Sequence, residues 1–294
     1  MSQQFGGDWT ILKLECLRKY LGAYVNVMKN QKQFTKWYID AFAGTGYVEL
    51  GNSVRDEPEL LFDCQETAET AKCILAGSAE QSLCISPSFD RYIFIEQDRG
   101  RAEELKRLQV NHLDQWSNVD IRNDDANNSL RSICKAWRHG YDRGVVFLDP
   151  FGMSVDWATL EAISATKSLD LWYLFPISAV NRLLVRDGEI PLAWKCRLTK
   201  VLGSDRWEEA FFTRRRSTNL FEDIVEDVTK RSLFQVADFV ISQLKTIFPL
   251  VADPLWLKNS RGSPLFLFCF AVSNPSKKAR EIANRISDHI LRSA

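Results

Sequence analysis

The sequence predicts a doubly wound α/β fold with a mostly parallel sheet, and three observations predict it. Short apolar runs recur at 37–43, 91–96, 144–149 and 169–175. They are near-continuous rather than alternating, as strands buried on both faces are. Polar turns and segments with helical spacing lie between them, the order that lays strands parallel.

Composition sets wide limits. At 294 residues with 45% hydrophobic content, the chain is long enough for one large α/β domain with an appended part. Thirty-eight basic and 38 acidic side chains cancel. Overall charge therefore calls for no polyanionic partner, although a local basic face is compatible with it. The first residues lack a basic segment followed by an apolar core, and no run approaches the roughly 18 apolar residues of a membrane span, so a cytoplasmic location is expected. Seven cysteines, at 16, 64, 73, 84, 134, 196 and 269, form no Cys-x-x-Cys pair and read as free thiols. The spacing of Cys64, Cys73 and Cys84 matches no zinc pattern, so no metal is expected. His112, His139 and His289 read as surface residues.

In chain order, Asp8-Trp9-Thr10 opens a helix whose apolar positions, Ile11, Leu14, Leu17, Leu21, Val25 and Met28, recur at steps of three and four. Lys13, Arg18 and Lys19 are assigned to its solvated face. The first strand, about 37–43, runs into Gly44-Thr45-Gly46, where two glycines let a ligand approach the backbone or simply make a turn. Residues 48–88 read as an insertion with a short helix near 72–77. The second strand ends in Glu96, followed by Gln97. A carboxylate there is suited to accept two hydrogen bonds from a sugar diol. A helix over Ala102–Val110 returns the chain, and Val119–Arg122 is a short third strand leading to Asn123-Asp124-Asp125-Ala126-Asn127 and a helix over Leu130–Trp137. The aspartates there either touch a ligand or cap the helix.

The fourth strand ends in Asp149-Pro150-Phe151-Gly152. Proline cannot continue the ladder, so the chain turns outward with Phe151 beside the crevice. A helix at 156–163 and a fifth strand, Leu169–Phe175, close the pattern. Helices are expected at Ser178–Val185, Leu192–Leu202, Asp205–Phe212, Glu222–Lys230 and Leu233–Phe248, then a hairpin of Leu255–Leu257 and Leu265–Val272, then a helix over Lys277–Ile290. This divides the chain into a core at 1–175, a helical insertion at 176–252 and a segment at 253–294 that completes the sheet. Arg214–Arg216 beside Phe211 and Phe212 reads either as a phosphate grip with stacking aromatics or as a solvated helix end. Trp194 and Trp207 read as partner surface or as core.

With these loops in register, the chain resembles the class I S-adenosylmethionine-dependent methyltransferases, whose fold is Rossmann-like. The resemblance implies cofactor contacts from Asp40, Phe42, Ala43, Gly44, Thr45 and Gly46, from Glu96 and Gln97, and from Asp124, Asp125 and Ala126. A nicotinamide site would need a third glycine where Glu49 stands. More specifically, the chain is similar to the three-Cys-motif partner family, a set of bacterial methyltransferase-like proteins. The residues that carry this are Trp9-Thr10 with Lys13 and Tyr20-Leu21, Asp40–Gly46, Asp125–Asn127, Leu148–Gly152 and Trp157. That family implies a three-Cys-motif protein as partner, and leaves open a catalytically silent module working with it. Asp149-Pro150-Phe151 resembles the Asp/Asn-Pro-Pro-aromatic motif of enzymes that methylate exocyclic amines of nucleic-acid bases, with one proline missing. That resemblance implies that Asp149 orients the amine and Phe151 stacks on the flipped base.

Overall fold

The architecture comes from a computed structural model that describes residues 8–50, 73–185, 189–218 and 224–294. Helix α1 (Asp8–Met28) precedes β1 (Thr35–Asp40), the glycine turn and an antiparallel pair, β2 (Tyr47–Leu50) and β3 (Cys73–Ala76). Then come α2 (Ser78–Leu83), β4 (Arg91–Ile95), α3 (Arg99–Leu105), a 3-10 segment (Lys106–Asn111) and α4 (Leu113–Trp116). The core continues with β5 (Val119–Arg122), α5 (Ala126–Lys135), β6 (Asp142–Leu148), α6 (Trp157–Ala165) and β7 (Leu169–Phe175). After it lie α7 (Ile177–Leu183), α8 (Leu192–Leu202), α9 (Trp207–Phe211), β8 (Phe212–Thr218), β9 (Ile224–Lys230) and α10 (Leu233–Ile247). The chain closes with β10 (Leu250–Val251), β11 (Leu255–Lys258), β12 (Pro264–Val272) and α11 (Lys277–Arg292).

The main sheet runs β10-β12-β7-β6-β1-β4-β5, with β11 beside β12. Strands β5, β4, β1, β6 and β7 are parallel, and β12 enters antiparallel to β7. This is the expected Rossmann-like, doubly wound, mostly parallel sheet. From β1 the chain builds outward through β4 to β5, then returns to the other side of β1 to lay down β6. Strand order therefore reverses between β1 and β6, and in sheets of this kind the ligand crevice is expected outside the carboxyl ends at such a point.

The core follows the period of two along each strand. Tyr38, Phe94, Phe147, Trp172 and Phe268 face the layer of α1 and α11, while Ile39, Ile93, Val146, Leu171 and Cys269 face the layer of α5, α6 and α10. Both faces are covered, which is why the strands read as unbroken apolar runs.

Three expectations change. Residues 73–76 form β3, not a helix, because pairing with β2 satisfies their backbone. Residues 224–230 form β9, since Ile224, Val225, Val228 and Thr229 are β-branched and pair with β8. The return helix begins at Arg99, where Asp98 accepts from the Arg101 N–H, and it tightens to 3-10 after Leu105. Leu192–Leu202 is as expected, and Ser232 with Gln235 forms a full capping box on α10. Among the described residues no helix is long and apolar enough to cross a membrane.

Candidate functional site

The glycine turn hangs from β1 by a buried carboxyl. Asp40 is 0% exposed, and its oxygens accept from the Phe42 N–H at 3.2 Å and the Tyr38 hydroxyl at 3.3 Å. Burial, with the nearby Asp149 charge adding to it against hydrogen bonds from Ser78, Phe42 and Tyr38, raises the Asp40 pKa to about 7. Asp40 therefore shapes the turn from beneath. Gly44 and Gly46 both take left-handed φ, 62° and 80°, and a Cβ on Gly46 would lie 2.8 Å from Leu108. The left-handed φ favours glycine at 46, and a larger residue would also have to displace the end of the Leu108 side chain. Ala43 and Thr45 are buried, the Thr45 hydroxyl donates to the Tyr47 carbonyl, and Phe42 packs partly into the core.

Glu96, at the end of β4, is joined directly to that turn. One carboxylate oxygen accepts from the Gly44 N–H at 3.0 Å and the other from the Asp98 N–H at 2.8 Å, with Arg101 3.8 Å away. Gln97 is exposed, and its carbonyl accepts from the Asn123 amide, which also binds the Glu96 carbonyl and so ties the ends of β4 and β5 together. In the next loop Asp125 caps α5 by accepting from the Asn128 N–H, and Asp124 accepts from the Asp125 N–H and the Ser129 hydroxyl. Both carboxylates act on the loop itself, and both keep lone pairs for a donor. Ala126 is buried in the first turn of α5.

Across the crevice, Asp149 is ion-paired with Lys13. Lys13 is buried in α1, with its ammonium 4.9 Å from the Trp9 ring centre, and does not lie on the solvated face expected for it. The signal was legible as helical phase: the buried stripe of α1 runs Thr10, Lys13, Leu14, Leu17, Tyr20 and Leu21, while Ile11, counted as core, is 44% exposed. Pro150 is buried, and Phe151 projects with 53% of its surface exposed and the Arg101 guanidinium 5.4 Å from its ring centre. Arg101 thus reaches from the Glu96 side of the crevice to the Asp149 side.

The loop after β6 is held by residues that the sequence reading did not rank. Asn127 donates to the Ser154 carbonyl and accepts from the Asp156 N–H and the Thr159 hydroxyl. Buried Asp156 faces three cations, Arg197 and Lys200 at 3.0 Å and Arg131 at 3.8 Å, so this rim carries excess positive charge. Other expectations are corrected. Phe211 and Phe212 are buried core and do not stack on bases, the backbone at Arg214–Arg216 is strand rather than helix end, and the side chains at 214–227 lie outside the described residues. Cys64 also lies outside them. Trp207 is core, while Trp194 is 41% exposed. His112 is buried rather than on the surface, whereas His139 and His289 are exposed. A cavity of about 550 Å³ lies beneath the amino ends of β1, β4 and β5, away from this crevice. Among its polar residues, Trp37 and Arg138 both bind Asp142.

No protein-family model and no curated protein matches the chain. Solved structures align with it at low identity. A Legionella pneumophila protein of the DUF519 family aligns at 16% identity and TM-score 0.42, covering 80% of this chain and 92% of that one. The methyltransferase domain of a bacterial Hen1 aligns at 12% identity and TM-score 0.38, covering 87% and 99%. Spermidine synthase of Thermotoga maritima aligns at 9% identity and TM-score 0.40, covering 88% of this chain and 58% of that one. These are fold likenesses alone.

Proposed function

We propose that the chain is an S-adenosylmethionine-dependent methyltransferase whose acceptor is an exocyclic amine of a nucleic-acid base. The observation that carries the reading is the hydrogen bond between the Gly44 N–H and Glu96, which joins the glycine turn of β1 to the acidic end of β4, next to the reversal of strand order between β1 and β6. The donor set fits this cofactor. Each Glu96 oxygen accepts one backbone N–H and keeps a lone pair for a ribose hydroxyl. Gly44 offers its bare backbone to the amino-acid portion, while Gly46, packed against Leu108, lets the turn close beneath it, and Asp124 or Asp125 faces the adenine amine. Acidic groups surround the crevice where a dinucleotide would need groups that cradle a pyrophosphate. When bound, the sulfonium supplies an electrophilic methyl group.

On the acceptor side, Asp149 and the Pro150 carbonyl accept the two amine hydrogens and point the nitrogen lone pair across the crevice. Phe151, exposed beside them, stacks on an extruded base. Lys13 fixes the Asp149 carboxylate by its ion pair, and Pro150 fixes the turn. The positive rim of Arg131, Arg197 and Lys200 suits a phosphate backbone. One contact favours a second reading: the same Lys13 pair occupies the carboxylate that would orient the amine, as in a silent module acting with a protein partner such as a three-Cys-motif protein.

Titration calorimetry with S-adenosylmethionine on the wild type, Gly44→Arg and Asp149→Ala tests the reading. Binding lost in Gly44→Arg and kept in Asp149→Ala is the expected result, followed by methyl transfer to RNA or DNA that Asp149→Ala abolishes. A wild type that does not bind the cofactor at millimolar concentration overturns it.

A further inference from the structure

A second constellation lies behind the glycine turn. Glu80 and Cys84 are four residues apart on α2 and its C-cap, so their side chains share one face. His112 comes from the end of the 3-10 segment, and its carbonyl accepts from the Gln115 and Trp116 N–H groups, which hold its backbone rigidly. His112 Nε2 lies 2.9 Å from Glu80 Oε2, and the ligand atoms of Glu80, Cys84 and His112 all fall within 4.8 Å of one another. A tetrahedral zinc ion with nitrogen and oxygen ligands at about 2.0–2.1 Å and sulfur at about 2.3 Å separates its ligands by roughly 3.3–3.6 Å. A modest rotation of the exposed Cys84 side chain closes the difference.

We propose that Glu80, Cys84 and His112 form a binding site for a zinc-class divalent ion, with solvent as the fourth ligand. A thiolate, an imidazole and a carboxylate together suit zinc and its congener cobalt over calcium or magnesium, which take oxygen ligands. On binding, the Cys84 thiol releases its proton to solvent. The Glu80–His112 hydrogen bond breaks, and the imidazole proton sits on Nδ1 so that Nε2 ligates. One bond forms from each side chain to the ion, and no electron is transferred.

The position gives the ion a structural consequence. On α2's side, the Gly77 N–H donates to the Gly46 carbonyl at 2.8 Å. On the other side, Leu108 of the 3-10 segment packs against Gly46. An ion joining Glu80 and Cys84 to His112 clamps the two elements that flank Gly46. Sequence spacing hides the site, because its ligands come from segments about thirty residues apart with only an i,i+4 pair between them.

The test is titration of the reduced full chain with cobalt(II) and zinc(II) chloride, reading the thiolate-to-cobalt charge-transfer absorption, the stoichiometry and the thermal midpoint. One ion per chain, a charge-transfer band and a raised midpoint are expected. Cys84→Ser, at an exposed position, removes the band and weakens zinc at least about 100-fold, and His112→Gln weakens it similarly. A band that survives Cys84→Ser assigns the ion to another cysteine and overturns the proposal. So does the absence of stoichiometric binding by the wild type.

Discussion

Two buried aspartates lie at opposite ends of the same sheet, and their contrast separates a carboxyl beside the proposed site from one that only ties the fold together. Burial raises both Asp40 and Asp170 to a pKa of about 7. Asp170, at the amino end of β7, accepts from the Tyr20 hydroxyl at 2.7 Å and ties α1 to the sheet. Asp40, at the carboxyl end of β1, holds the turn that contains Gly44 and Gly46. A perturbed carboxyl is therefore no marker of a site by itself. Which end of the strand it occupies decides what it does, because ligands in such sheets bind only beyond the carboxyl ends.

The largest effect follows from removing each side chain. Asp40→Ala leaves the Phe42 N–H, the Tyr38 hydroxyl and the Ser78 hydroxyl short of an acceptor, and about 3–5 kcal/mol of stability is lost. Asp170→Ala strands only the Tyr20 hydroxyl, and costs about 1–3 kcal/mol. Urea unfolding measures both. The contrast sharpens if only the Asp40 variant also loses cofactor binding, and it breaks if both variants bind alike.

The pH dependence comes next. A carboxyl whose folded pKa is about 7 binds its proton more tightly in the folded state than in the unfolded one. Its contribution is complete below the unfolded value and is lost as pH rises through about 7. Each group then lowers stability by about 1.4 kcal/mol per pH unit between roughly pH 4 and 7. Asp40→Asn and Asp170→Asn should each flatten that slope. Equal slopes in the wild type and both variants would show that neither carboxyl is protonated in the folded protein.

The sheet was readable because buried parallel strands write their pattern directly: the runs at 37–43, 91–96, 144–149 and 169–175 are β1, β4, β6 and β7, although β1 already ends at Asp40. The glycine turn and Glu96 were readable for the same reason, since each follows a strand end. What stayed hidden depends on contacts between distant segments. Lys13 carries a charge that assigned it to solvent, yet its phase on α1 points it inward to Asp149, 136 residues away. His112 is isolated in sequence and finds Glu80 only through the fold. The β8–β9 pair was missed because its sequence is mostly polar and charged and shows no apolar run, and cross-strand pairing outweighs local helical appearance.

Lys13→Met gives a smaller effect on the carboxyl-end side of the comparison. Its partner Asp149 has a side chain about a quarter exposed, which limits the loss of stability to about 1–2 kcal/mol. Cofactor affinity should hold, since the Lys13 ammonium is engaged by Asp149 and the Trp9 ring rather than by Glu96. Methyl transfer should fall about tenfold or more as the carboxylate loses its fixed position. A rise in transfer would show instead that the ion pair blocks Asp149, which is the silent-module reading.

Phe151→Ala should give the smallest effect on folding, because more than half of the ring's surface is exposed and the change stays within about 0.5 kcal/mol in urea. Its effect should fall wholly on the acceptor, where loss of a stacked base costs about 1–3 kcal/mol of affinity. Asp170 supplies the control: Asp170→Asn should change stability and its pH slope while leaving acceptor affinity untouched. If Phe151→Ala and Asp170→Asn weaken the acceptor equally, the weakening is a general loss of fold, and the crevice beyond the carboxyl ends is not where a base is held.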